Sequence, residues 1–212
     1  MFPTSHNFWL VPAAYLVGSI PFGLILARIF AATDVRKAGS GNIGATNVAR
    51  VAGPIPGILT LVLDAAKGAA AVLIAGYFSG DSSTWMMLAG VTALVGHCYP
   101  PWLRFKGGKG VAPALGVFAA LCLPALLLDL GFFIVVLLVW RYVSLASIAA
   151  AAGMPLLVYV LWAPGHAPPL IVTFGTLLCS ALVVFKHDAN LQRLVEGTEP
   201  HFFSRKSKQG QA

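Results

Sequence analysis

Three polar stretches interrupt an otherwise apolar chain, and each carries residues able to hold an anion or move a proton. They are AGSGNIGATNVAR (Ala38 to Arg50), GHCYPPWLRFKGGKGVA (Gly96 to Ala112) and FKHDANLQRLVEGTE (Phe185 to Glu199). In the first, Gly39, Gly41 and Gly44 leave the backbone free to turn successive amides inward as an anion nest. Ser40, Asn42, Thr46 and Asn47 add side-chain donors, and Arg50 can grip a phosphate through two parallel bonds. The same residues also describe a plain flexible loop whose arginine snorkels to lipid headgroups. Gly39 to Gly44 has the spacing of a dinucleotide fingerprint, but it follows an apolar helix rather than a strand, so no nucleotide cofactor is expected. In the second stretch Gly107, Gly108 and Gly110 surround Lys109, with Arg104 and Lys106 alongside, as in a second phosphate cradle. No Ser or Thr follows Lys109, which excludes a Walker A loop. Basic anchoring at a membrane surface explains the lysines but not the glycines. In the third stretch His187 and Asn190 share a face if a helix continues past Phe185. Histidine can exchange a proton near neutral pH. Arg193, Gly197 and Glu199 follow, with Glu199 readable as a salt-bridge partner of the basic loops.

These stretches must be held by membrane helices. The chain of 212 residues is 58% hydrophobic and 10% charged, with a net charge of +7. Soluble domains are about 45–50% apolar and about 25% charged. The expectation is an all-α, polytopic integral membrane protein. Apolar segments fall near Phe8–Ile29, Ile55–Phe78, Thr84–Leu103, Val111–Tyr142, Ser144–Trp162 and Pro169–Phe185. The fourth exceeds the roughly 20 residues one span needs. Splitting it near Pro124–Asp129 places every Lys- and Arg-bearing loop on one side, leaving the loops around Asp81, Asp129 and His166 on the other. The positive-inside rule then gives seven transmembrane helices, the N-terminus outside and the C-terminus cytoplasmic. All three polar stretches fall on the cytoplasmic face.

One domain is expected over residues 1–203, with a polar cytoplasmic tail at 204–212 and Phe202 and Phe203 as an interfacial anchor. Cys98, Cys122 and Cys179 lie among apolar residues without metal or disulfide spacing. Asp64 and Lys67, at i and i+3 inside a span, read as a buried ion pair. His97, before Tyr99-Pro100-Pro101, reads as structural.

At this spacing the three motifs resemble those of the bacterial acyl-phosphate:glycerol-3-phosphate acyltransferases, the PlsY family. The likeness covers nearly the whole chain, through GSIPFG (Gly18–Gly23), LDAAKG (Leu63–Gly68) and YVSLASI (Tyr142–Ile148). Two positions depart from it: Lys186 precedes His187 where Arg is usual, and Leu191 stands where Ile is common. The resemblance implies an enzyme that moves a fatty acyl group from acyl phosphate to the 1-hydroxyl of glycerol 3-phosphate, giving lysophosphatidate and phosphate in the first acylation of phospholipid synthesis. It implies a site on the cytoplasmic face of the bacterial inner membrane. There, Ser40 and Arg50 would serve the acyl-phosphate group, Gly107, Gly108 and Lys109 the phosphate of glycerol 3-phosphate, and His187 and Asn190 the acceptor hydroxyl. The general base is left open between His187 and a substrate phosphate oxygen. Two substrates that both carry phosphate suit two cradles. No His is followed by Asp at i+5, the pair that acyl carrier protein- or coenzyme A-dependent acyltransferases show. An acyl phosphate already has a good leaving group, so that pair can be dispensed with.

No metal and no cofactor are expected. The expected partners are the two substrates, membrane lipid and the enzyme that makes the acyl phosphate, with no nucleic acid. A transporter of a phosphorylated metabolite or lipid is the main alternative, but the chain lacks an inverted repeat and its polar motifs gather on one face rather than at the midplane. A lipid phosphatase is the other.

Overall fold

The computed structural model describes residues 5–162 and 167–202. The expected tail from residue 204, the anchor residue Phe203 and the loop residue His166 lie outside them. The described residues form ten α-helices and no strand. They are α1 (Leu10–Gly18), α2 (Phe22–Ala31), α3 (Ala45–Ala52), α4 (Pro54–Ser79), α5 (Ser83–Cys98), α6 (Val111–Leu121), α7 (Leu123–Trp140), α8 (Val143–Leu161), α9 (Leu170–Phe185) and α10 (Asp188–Val195).

Local chemistry sets most of the breaks. Pro21 interrupts the first apolar segment between α1 and α2. Gly53, at φ 101°, and Pro54 at the first position of α4 turn α3 into α4; proline is tolerated there because its missing N–H would have had no helical partner. Gly80, left-handed at φ 64°, ends α4. The long fourth segment does divide, but at Cys122 rather than in a loop near Asp129. Pro124 starts a helix more readily than it makes a loop. Asp129 therefore lies inside α7 and is buried.

Leu10–Ala31, α4, α7 and α8 are each long and apolar enough to cross a membrane, and α9 with α10, bent by 54°, makes a fifth if counted as one span. At 16 residues, α5 falls short of a full span. With 11 residues α6 covers only about 17 Å at ~1.5 Å per residue. Large apolar side chains face outward, among them Leu127, Leu138, Leu156, Val160, Phe174 and Leu178, as a lipid-facing surface requires.

Inside, Met87, Leu94, Phe118, Leu126, Met154 and Val183 unite α5 to α9. Helices α4 and α6 meet backbone to backbone: a Cβ on Gly68 would sit 2.2 Å from the Pro113 carbonyl oxygen, and one on Gly116 1.8 Å from that of Ala65. Only glycine permits this approach. It fixes the start of α6, and the motif just before it, against α4.

Candidate active site

The first motif is half loop, half helix. Asn47, on α3 and almost fully buried, organises the loop before it. Its Nδ2 donates to the carbonyls of Val35 (3.1 Å), Ala38 (3.1 Å) and Asn42 (2.8 Å), and its Oδ1 accepts from the Ser40 amide (2.8 Å). Asn42 Oδ1 accepts from the Gly44 amide at 2.8 Å. Gly39 and Gly41 take the left-handed conformations this loop requires. The amides of Ser40, Gly41 and Gly44 are thus engaged within the loop. What the motif offers an anion is the start of α3: Ala45 and Thr46 have first-turn N–H groups without a partner among the described residues, the usual state of a helix N-terminus.

The second motif behaves the same way. Gly107 and Gly108 donate their amides to the carbonyls of Cys98 (3.1 Å) and His97 (3.0 Å). The loop is thereby clipped to the end of α5, and Lys109, Gly110 and the N-terminus of α6 face the cavity described below. A Cβ on Gly108 would lie 2.0 Å from His97 Nε2, so the loop rests directly on that ring. Beneath it lies a buried polar knot. Lys67 Nζ donates to the Ile20 carbonyl (2.7 Å) and to His97 Nδ1 (3.0 Å), and it forms an ion pair with Asp64 Oδ1 (2.6 Å) that lacks hydrogen-bond geometry. Because an ammonium only donates, His97 Nδ1 accepts and the ring proton sits on Nε2. The knot ties the GSIPFG and LDAAKG motifs to the second polar stretch.

In the third motif the chain bends at Lys186 and His187. His187 donates its Nδ1–H to the Val183 carbonyl (2.7 Å), since a carbonyl can only accept. A neutral His187 therefore carries its lone pair on Nε2, the form a base needs. Asn190 accepts from Lys109 Nζ through Oδ1 and donates Nδ2 to Glu199 Oε1 (2.6 Å), while Arg193 Nε donates to Glu199 Oε2 (2.7 Å). Lys109, Asn190, Glu199 and Arg193 form one chain across two motifs. Burial pushes the Lys109 ammonium down to about 8; nearby Glu199 opposes this, and Arg193, Arg50 and Lys186 add to it. Burial would raise the Glu199 carboxyl, but the donors around it outweigh that and hold it below its ordinary value. Ser144 faces the same carboxylate without making a hydrogen bond of good geometry.

These parts surround one cavity of about 1010 Å³. Of the residues expected from the sequence, it brings together Gly39, Ser40, Asn42, Gly44, Thr46, Asn47, Arg50, Lys109, Gly110, His187, Asn190, Arg193 and Glu199. Gly41, Arg104, Lys106 and Gly107 instead border a separate hollow with Asp34 and Arg36. There Arg36 clasps Asp34 (2.9 and 2.6 Å) and holds its carboxyl well below the usual carboxylate range. Gly108 is buried between loop and His97. The sequence reading assigned no site role to Ser144, Ser147, Ser180, Asp129, Asp64 or His97, all of which line the cavity. The polar residues of YVSLASI were the available signal. Among the described residues no three His, Cys, Asp or Glu side chains gather as a metal site.

A helical membrane protein with two helix N-termini, a lysine and a histidine at the polar mouth of an apolar cavity belongs to the class that handles phosphorylated amphiphiles. The glycerol-3-phosphate acyltransferase family model matches residues 8–197, and the chain belongs to that family. Among its relatives, the glycerol-3-phosphate acyltransferase of Syntrophotalea carbinolica is 49% identical over 190 residues, covering 90% of this chain and 94% of that one. That of Trichlorobacter lovleyi is 48% identical over 199 residues, covering 94% and 98%. Of solved structures, the glycerol 3-phosphate form of PlsY (YgiH), an integral membrane glycerol 3-phosphate acyltransferase, superimposes with a TM-score of 0.85 at 40% identity, covering 93% of this chain and 96% of that one. Its lysophosphatidic acid form gives 0.81 at 39%. The chain is an integral membrane protein of a bacterial type.

Proposed function

We propose that this chain transfers a fatty acyl group from an acyl phosphate to the 1-hydroxyl of glycerol 3-phosphate. One observation carries the reading: a single cavity combines the N-termini of α3 and α6, whose first-turn amides have no partner among the described residues, at a cationic mouth with an apolar interior, as two phosphates and one alkyl chain require. The amides of Ala45 and Thr46, with Ser40 and Arg50, receive the acyl-phosphate group and stabilise the charge on the departing phosphate. Lys109 and the start of α6 hold the phosphate of glycerol 3-phosphate; Gly107 and Gly108 shape that loop rather than donate. The chain Lys109–Asn190–Glu199–Arg193 keeps the lysine in place. The glycerol oxygen attacks the acyl carbon, the bond from that carbon to the phosphate oxygen breaks, and the hydroxyl proton passes to His187 Nε2 or to a substrate phosphate oxygen. The products are 1-acyl-glycerol 3-phosphate and inorganic phosphate. Ser40 has no activating base among its contacts, so a covalent acyl-serine is not part of the scheme.

The proposed topology has seven crossings, with α5 and α6 as short members packed inside the bundle, one domain over residues 1–203, the N-terminus outside and the site on the cytoplasmic face of the inner membrane. An enzyme that makes acyl phosphate would be the supplier of the donor. The test is purified protein with palmitoyl phosphate and glycerol 3-phosphate. Phosphate release that requires both substrates, with lysophosphatidate formed, is the expected result. Release without the acceptor would make the protein a phosphatase, and no turnover would favour a transporter.

A further inference from the structure

The separate hollow bordered by Asp34 and Arg36, of about 810 Å³, has no part in the catalytic scheme. Two distant loops build it. Arg36 and Lys37 stand in the connection from α2 to α3, and Arg104 and Lys106 in the connection from α5 to α6. Buried Val35 and Leu103 pack in one apolar cluster with Leu24, Ile43 and Val48, which fixes the two loops side by side. Four cations and one carboxylate therefore line a single space. Asp34 is already paired with Arg36 and Arg28. Lys37, Arg104 and Lys106 pair with no carboxylate among the described residues. Like charges gathered in a concave site draw in an anion.

The rim of the hollow says which anion. Trp102 is 57% exposed and Phe105 59% exposed, although both flank Arg104. Trp102 is held in place by donating its indole N–H to the Ser19 carbonyl (2.9 Å). Arg104 and Phe105 are both left-handed, at φ 52° and 61°. Non-glycine residues take that conformation at a cost, and such strain collects at ligand clamps. Exposed aromatic rings interleaved with arginine and lysine are the pattern of a membrane–water interface, and a soluble anion offers those rings nothing to cover. We propose that this hollow binds the phosphate headgroup of an anionic phospholipid, with Trp102 and Phe105 against the upper part of its acyl chains. Gly41 of the first motif and Gly107 of the second line the hollow, so the lipid sits on the outer side of both motif loops. The hollow and the catalytic cavity share no lining residue, so a bound lipid leaves the substrate space open.

The experiment counts, by native mass spectrometry from detergent, phosphatidylglycerol and phosphatidylcholine retained by the purified full chain. It uses the unaltered protein, Arg104→Gln/Lys106→Gln and, as a charge-matched control, Arg205→Gln/Lys206→Gln. The unaltered protein should favour phosphatidylglycerol. Each basic residue beside an anionic headgroup is worth roughly fivefold in affinity, so Arg104→Gln/Lys106→Gln should lower that preference on the order of 25-fold while the control keeps it. Equal retention of the two lipids by the unaltered protein, or equal loss in the two variants, overturns the proposal. Should the first variant fail to fold, amine labelling of the unaltered protein decides. Adding phosphatidylglycerol to phosphatidylcholine vesicles should shield Lys37 and Lys106 more than Lys206 and Lys208. Shielding no greater than theirs overturns the proposal. Shielding by inorganic phosphate with none from phosphatidylglycerol also overturns it and assigns the hollow to a soluble anion. Neither readout requires acyl transfer, so the lipid site and the acyltransferase reading stand or fall separately.

Discussion

Replacing Lys67 by Met tests the knot beneath the second motif. Both members of the Asp64–Lys67 pair are 2% exposed at the side chain, with N···O 2.6 Å. The ammonium also donates to the Ile20 carbonyl and to His97 Nδ1. A methionine of similar length would leave the Asp64 carboxylate buried and unpaired, the Ile20 carbonyl without its donor, and His97 free to change tautomer. Breaking a buried pair from one side costs about 3–5 kcal/mol. Lys67→Met should therefore lower unfolding stability in detergent by about that much, and Asp64→Leu should do likewise. The double variant Asp64→Leu/Lys67→Met removes both charges together. It should regain more than half of the loss, keeping only the cost of the undonated carbonyl and imidazole, about 1–3 kcal/mol. Since His97 supports Gly108, the double variant should also raise KM for glycerol 3-phosphate more than it lowers kcat. The reasoning fails if either single variant loses under about 1 kcal/mol, because water would then be reaching the pair, or if the double loses as much as both singles added.

Three further outcomes follow from the same geometry. Lys109 has its pKa lowered to about 8 in the folded protein. Its phosphate-binding charge is complete below that pH and lost above it, so kcat/KM for glycerol 3-phosphate should fall as pH rises through 8, reaching about tenfold per unit; a flat profile to pH 9.5 would contradict the clamp. His187→Ala should lower kcat by about 10²–10⁴-fold if the imidazole takes the hydroxyl proton. Activity near that of the unaltered enzyme would hand the role to a substrate phosphate. Asn47→Ala removes four hydrogen bonds from the first motif. It should destabilise that loop by about 1–3 kcal/mol and raise KM for the acyl phosphate more than for glycerol 3-phosphate. Equal effects on both substrates would place the loop elsewhere in the mechanism.

Composition and motif chemistry made much of this protein legible without coordinates. Apolar runs near membrane length fixed an all-helical membrane fold, because lipid leaves the backbone few other ways to satisfy its polar groups. The glycine, lysine and histidine motifs pointed to the phosphate site proposed above, because those residue types can supply amides, charge and a proton carrier. The tertiary structure alone decided which donors remain free. Gly107 and Gly108 read as an anion nest, yet their amides are already given to the end of α5, and the available N–H groups belong to the starts of α3 and α6. Asn190 read as a ligand for the acceptor hydroxyl, and both ends of its amide are engaged by Lys109 and Glu199. Asp129 read as a loop residue and stands inside α7, where it lines the cavity. A hydrogen bond is satisfied by whichever partner the fold brings within 3 Å or so, and that neighbour is set by helices packing across long stretches of chain. Residue type announces what a side chain can do; packing determines what it is left free to do.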